Sequence, residues 1–223
     1  MVDPPVKPSA PGSPRRPYHS PKRAAAALKT RQAIRAAAEA LFLRDGYTQT
    51  TMRAIAEQAG VSEKTMYLTY ATKANLLREV IQVAVRGDEA PETLSERSEW
   101  RAVMVGPLDE VFARFATLNA ALMTRTAHII ALAESAADVD PELAKHRDRA
   151  RATARADLHA LAAELRRRGA LAPGVSEQDA ADTMYAISND VGVYLRLTTE
   201  CDWTEARYAE LIAHTLKATL AAP

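Results

Sequence analysis

Between Thr51 and Lys73 the chain concentrates side chains suited to one kind of chemistry, the holding of a polyanion. The hydroxyls of Thr51, Thr65, Tyr67 and Tyr70 suit phosphate oxygens, and Lys73 adds a charge near a helix start. Such contacts fix the register of a nucleic acid without reading its sequence. Lys64 reaches guanine acceptors or a phosphate, Thr69 assists either contact, and Leu68 is an odd residue to expose unless it meets a thymine methyl. Val61 and Met66 of the same stretch read as core, and Tyr67 packs as readily as it touches a ligand.

Other reactive constellations are missing. No G-x-S-x-G occurs, no two glycines stand two apart as a dinucleotide loop requires, and Gly169 to Gly174 has phosphate-loop spacing but is followed by Val175 instead of lysine. The histidines at 19, 128, 146, 159 and 214 form no i, i+3 or i+4 pair, so no helical metal site is expected. Neither an enzyme nor a cofactor is expected.

The elements that must position the polar stretch are short helices. Ile34, Ala37, Ala38, Leu41 and Phe42 recur at the spacing of one buried helical face, and Asp45-Gly46 supplies the stop. Thr50 and Thr51 open a second helix, TMRAIAEQA, whose Ile55, Ala56 and Ala59 can face Leu41 and Phe42. Gly60 ends it. Ser62 caps a third helix, EKTMYLTY, and Thr72 a fourth, KANLLREVIQVAV. A short helix, a glycine turn and a second short helix cross steeply, which lets the second enter a DNA major groove while the first braces it.

Ala59, Gly60, Val61, Ser62, Thr65, Tyr67, Tyr70, Lys73, Leu76 and Leu77 together form a pattern that resembles the DNA-binding domain of TetR-family transcription regulators. Tyr70 stands where phenylalanine is commoner, keeping the ring and adding a hydroxyl. The resemblance covers residues 30 to 86; beyond them it extends to helix number and the closing WTEARYAELI. It implies an all-α chain with a three-helix helix-turn-helix DNA-binding domain followed by a larger helical ligand-binding and dimerisation domain. It further implies a homodimer on double-stranded operator DNA, usually a repressor, released by a small-molecule effector. Arg53 aligns with a position that reads a base in some relatives, and with Ser62 it completes the expected DNA-binding set. A ligand-independent architectural DNA binder is the alternative, distinguished by a lack of sequence preference.

Around this segment the chain divides further. Residues 1 to 29 hold Lys7, Arg15, Arg16, Lys22, Arg23 and Lys29 against Asp3 alone, and the first 21 residues contain seven of the 12 prolines. They are expected to form a disordered basic arm. Residues 87 to 106 read as a connector, with Trp100 as a packing anchor, and residues 107 to 223 as the second domain. There Leu108, Val111, Phe112, Phe115, Leu118 and Leu122 continue one helical face, with a break after it; Pro141 opens a charged helix, and Ser176 to Asp179 fits a capping box. Phe112, Phe115, Asn119, Arg125, His128 and Asn189 lie near apolar faces and are the expected ligand contacts. The last two helices carry Met184, Ile187, Val191, Leu211, Ile212 and Leu216, the expected dimer interface.

Composition agrees with this division. Alanine and leucine dominate a 48% hydrophobic content with only 8 glycines, which favours helices. Residues 1 to 86 carry 14 Lys/Arg against 6 Asp/Glu, and residues 87 to 223 carry 15 against 22. A basic front joined to an acidic back lets only the front meet a polyanion. The single cysteine, Cys201, excludes an internal disulfide framework and is expected to be a small buried hydrophobe. With no apolar secretory core and no membrane span in the sequence, a cytoplasmic protein without membrane partners is expected.

Overall fold

The computed structural model describes residues 21–222, and among these the chain is helical, with one isolated antiparallel bridge between Leu171 and Ala221. Helix α1 (Pro21–Gln49) starts on a proline whose missing N–H costs a first turn nothing. Its alanine-rich opening, residues 22–29, is exposed helix, where the sequence reads as the end of a disordered arm. Residues 1–20 of that arm lie outside the described residues. Ile34, Ala37, Ala38, Leu41 and Phe42 are buried as their spacing predicts. Gly46 leaves the helical region at φ 81°, ψ 165° and turns the chain where Asp45-Gly46 is expected to stop it.

Each expected cap is present. Thr51 Oγ1 accepts from the Ala54 amide at 3.1 Å to open α2 (Met52–Ala59), and Gly60 closes it in the left-handed region at φ 66°. Ser62 Oγ accepts from Thr65 N at 3.1 Å to open α3 (Glu63–Thr69), and Thr72 Oγ1 from Asn75 N at 3.1 Å to open α4 (Lys73–Arg86).

The connector is more ordered than its composition suggests. It holds α5 (Ser98–Ala102), an Arg97–Asp88 ion pair at 2.6 Å, and Trp100 edge-on to Phe115. Helix α6 (Val111–Ala137) runs without the break expected after Leu122. Asp140 caps α7 (Pro141–Arg167), and the Ser176/Asp179 capping box opens α8 (Glu177–Ser188). The apolar face that α8 begins is interrupted at Asn189-Asp190. Asp190 Oδ1 accepts from Val193 N at 3.0 Å and starts α9 (Val191–Leu195), which continues as a π-helical stretch, Arg196–Glu200. Short polar side chains that bond nearby amides compete with the helical ladder, which accounts for the break. Cys201 is exposed, contrary to expectation, because it follows this stretch at a turn. Helix α10 (Glu205–Leu220) ends the fold.

Two apolar clusters hold these helices. One joins α1–α4 to Ile129, Ala136 and Ala137 of α6 and Leu143 of α7; the other joins α6–α10. Helix α6 contributes to both, so the chain's front and back share one rod. Among the described residues no helix is long and apolar enough to cross a membrane.

Candidate nucleic-acid interface

Helix α3 is anchored on one side and open on the other. Met66 is fully buried against α1 and α2, whereas Lys64, Tyr67 and Leu68 project to solvent, Leu68 with 79% of its surface exposed. An apolar side chain so exposed, flanked by a lysine and a phenol, gives the helix a mixed face suited to base edges and phosphates. Ser62 and Thr65 share a hydroxyl contact of 2.8 Å, and the Thr69 hydroxyl donates back to Thr65 O at 2.7 Å. Those hydroxyls serve the helix first and retain acceptor capacity for a second partner. Arg53, on the exposed side of α2, pairs with Glu57 at 2.9 Å and lies 3.8 Å from Glu63.

Tyr70 and Lys73, by contrast, are tied into the protein. Tyr70 is 8% exposed, and its hydroxyl accepts from buried Arg35 at 3.3 Å; Arg35 in turn pairs with Glu89 beyond α4. Burial pushes the Tyr70 phenol up, partly countered by Arg35. Lys73 Nζ donates to Tyr47 O at 2.7 Å and Thr50 O at 2.9 Å and sits 4.2 Å from the Tyr47 ring centroid. Burial lowers its pKa, and nearby Asp140 counters only part of that shift. Lys73 therefore ties the start of α4 to the turn after α1 and keeps one of its three donors uncommitted.

Sequence reasoning missed Tyr47, Arg35 and Glu89 as supports of this site, since their partners lie 26 to 93 residues away and no local spacing marks them. The cations at the end of the expected basic arm enter the fold as the opening of α1. Lys22, Arg23 and Lys29 stand exposed on that helix, whose first turn holds no acidic residue. Cations beside a positive helix end repel it in the free protein, and a polyanion relieves both.

The description "Bacterial regulatory proteins, tetR family" fits residues 34–80, which contain α2, α3 and the turn between them. Over 93 residues the chain is 38% identical to the HTH-type transcriptional regulator SrpR of Pseudomonas putida, covering 40% of this chain and 43% of that one. It is also 38% identical over 93 residues to the uncharacterized HTH-type transcriptional regulator TtgW, from a strain of the same species, covering 40% of this chain and 69% of TtgW. The chain belongs to the TetR family. Its fold is shared with the crystal structure of NalD, the secondary repressor of the MexAB-OprM multidrug efflux pump in Pseudomonas aeruginosa, which superposes with a TM-score of 0.66 at 23% identity, covering 88% of this chain and 98% of NalD.

As TetR-family architecture requires, larger C-terminal helices follow the helix-turn-helix. Of the expected ligand contacts there, Phe115, Asn119 and Asn189 line one cavity of about 70 Å³ between α6, α7 and the end of α8. Phe112 is buried in the core instead, and His128 is exposed. Arg125 points elsewhere, donating to Ala84 O at 2.8 Å and Val85 O at 3.1 Å near the end of α4. Asn119 Nδ2 donates to Ser188 O at 2.9 Å, so its amide braces the cavity wall. Among the expected interface residues, Met184, Val191, Ile212 and Leu216 fill the protomer's own core and have no surface to offer a second copy. Ile187 is half-buried, and Leu211, 37% exposed, is the outward member of the set. The four buried residues lie at helical spacing, and in the protomer their faces point inward.

Proposed function

We propose that this chain is a sequence-specific transcription repressor that docks α3 in the major groove and binds a near-palindromic operator as a two-fold dimer. On this reading residues 30 to 86 bind DNA and residues 107 to 223 dimerise and take a small-molecule effector. The observation that carries it is the open face of α3: Lys64, Tyr67 and Leu68 project outward while Met66 and the Ser62 cap hold the helix still. Lys64 and Leu68 then read bases, with Arg53 beside them. The hydroxyls of Thr51, Ser62, Thr65, Tyr67 and Thr69 and the remaining donor of Lys73 hold phosphates. One short helix reads too few base pairs for specificity, and a two-fold dimer doubles the readout.

Effector release follows from α7. Ala154, Asp157 and Leu158 of that helix line the cavity, and its cap Asp140 accepts from the Tyr47 hydroxyl at 2.6 Å. An occupant that binds one placement of α7 better than another biases the helix-turn-helix through that contact. Selection of genomic fragments bound by the purified chain tests the function: a recovered inverted repeat supports it, and binding without sequence preference overturns it in favour of an architectural role.

A further inference from the structure

The cavity holds a carboxylate that the fold does not neutralise. Asp157 stands on its wall among Trp100, Phe115, Leu118 and Leu158, and among the described residues it forms no ion pair. The nearest cation along its own helix, Arg155, is turned to Asp182 at 3.6 Å and lies over the Tyr185 ring. Burial pushes the carboxyl up and nearby Ser95 draws it back, so its surroundings leave it under-solvated. A half-buried carboxylate facing apolar walls carries a desolvation cost that a cation of matching position removes. Trp100 and Phe115, edge-on to each other at 6.5 Å between centroids, add two ring systems to the same space. Ring faces attract cations and ring edges pack against apolar bodies.

We propose that this cavity takes a compact organic monocation with an apolar body, its charge read by the Asp157 carboxylate and its body held between Trp100, Phe115 and Leu158. The assignment rests on the reading of the C-terminal helices as an effector site and adds the class of effector. The cavity's volume of about 70 Å³ is roughly half of the ~150 Å³ that encloses a benzene ring in an apolar protein cavity, so it buries only part of the occupant's body and its open side admits the rest. Asn189 supplies a second polar group on the wall for orientation. Because Asp157 sits on α7, the charge it binds lies on the helix whose cap meets Tyr47.

Three probes of one shape and different charge separate the possibilities: benzylamine, protonated at neutral pH, benzyl alcohol and benzoate. Each is titrated calorimetrically into the full chain and into Asp157→Asn and Asp157→Glu variants. We expect benzylamine to bind about tenfold or more tighter than benzyl alcohol, the worth of a charge-assisted hydrogen bond, with benzoate weakest. Asp157→Asn should erase the preference while leaving benzyl alcohol within about twofold, and Asp157→Glu should keep it. Equal binding of benzylamine and benzyl alcohol, or a preference that survives Asp157→Asn, overturns the charge assignment and leaves an effector site standing. No binding by any of the three overturns the charge assignment and the cavity's role together.

Discussion

The Tyr47 hydroxyl donates to Asp140 Oδ2 at 2.6 Å across 93 residues of chain, joining the end of α1, past its Gly46 kink, to the N-cap of α7. Asp140 also accepts from the Glu142 and Leu143 amides, so one carboxylate both caps a helix and holds a tyrosine of the DNA-binding segment. Burial alone would push this carboxyl up, but the Tyr47 hydroxyl, the two amides and nearby Lys73 hold it below the usual range. A depressed pKa contributes stability above the unfolded value and loses it as pH falls through the folded one.

Tyr47→Phe should therefore cost about 1–2 kcal/mol in urea unfolding at neutral pH, the lower part of the range for a hydrogen bond to a charged group at a half-buried site. The difference from the parent should shrink as the pH falls below the ordinary carboxylate range. Hydrogen exchange should quicken in α2 and α3. Equal stability of the two proteins at pH 7 would remove this contact from the account.

Lys64→Ala should weaken operator binding and relax its sequence preference while leaving the salt slope and the thermal midpoint unchanged, because Lys64 reads a base. A slope lower in magnitude by about 0.9 would make Lys64 a phosphate contact instead. Lys73→Ala should instead lower the thermal midpoint, because two backbone carbonyls lose their donor. Thermal scans and fluorescence anisotropy at several salt concentrations check both.

Replacing Lys22, Arg23 and Lys29 together by alanine should flatten the salt slope by up to about 2.7 if all three face the duplex, with the preferred sequence unchanged. An unchanged slope would place the start of α1 away from DNA.

Leu211→Glu should yield a helical monomer by sedimentation and circular dichroism, since Leu211 faces outward on α10. Leu216→Glu should instead lose the helical signal, because a charge at a fully buried position strands in the core at a cost of several kcal/mol, about 3–5. A Leu211→Glu protein that remains dimeric would move the interface off this face.

Tyr208 is buried with its ring edge-on to Tyr194, and burial, with Tyr194 and Asp190 nearby, pushes its phenol up to about 12. A raised pKa stabilises the fold fully below the unfolded value and loses that contribution as pH climbs through the folded one. Alkaline unfolding should set in between about pH 10 and 12. Tyr208→Phe should move it upward with little cost at neutral pH, because the hydroxyl's bond to Asn119 Oδ1 is long, at 3.5 Å. Circular dichroism across the titration reads the shift.

What the sequence made legible was local. Thr51, Ser62, Thr72 and Ser176 announce helix starts because a cap acts within three residues, and Gly60 announces a turn because its φ is positive. Pattern also placed Leu68 on an open face. The direction in which an amphipathic helix points is not local. Ile212 and Leu216 show the period of an interface and that of a core alike, and α6 decides between them. Asp157 was missed for the same reason: it sits in a charged helix, and only the approach of Trp100 and Phe115 distinguishes it from solvated neighbours.

The exposed position of Cys201, after the π-helical stretch, bears on how any dimer of this protein is assayed. It is the chain's sole thiol, so air oxidation in the tube can link two copies at that point alone, giving a band of doubled mass on a non-reducing gel whatever the native interface. Sedimentation of this chain therefore belongs in reductant. The same thiol accepts a single maleimide fluorophore per protomer with no engineering. In a two-fold dimer the labels report one distance, and comparing it with and without operator follows the protein's shape directly.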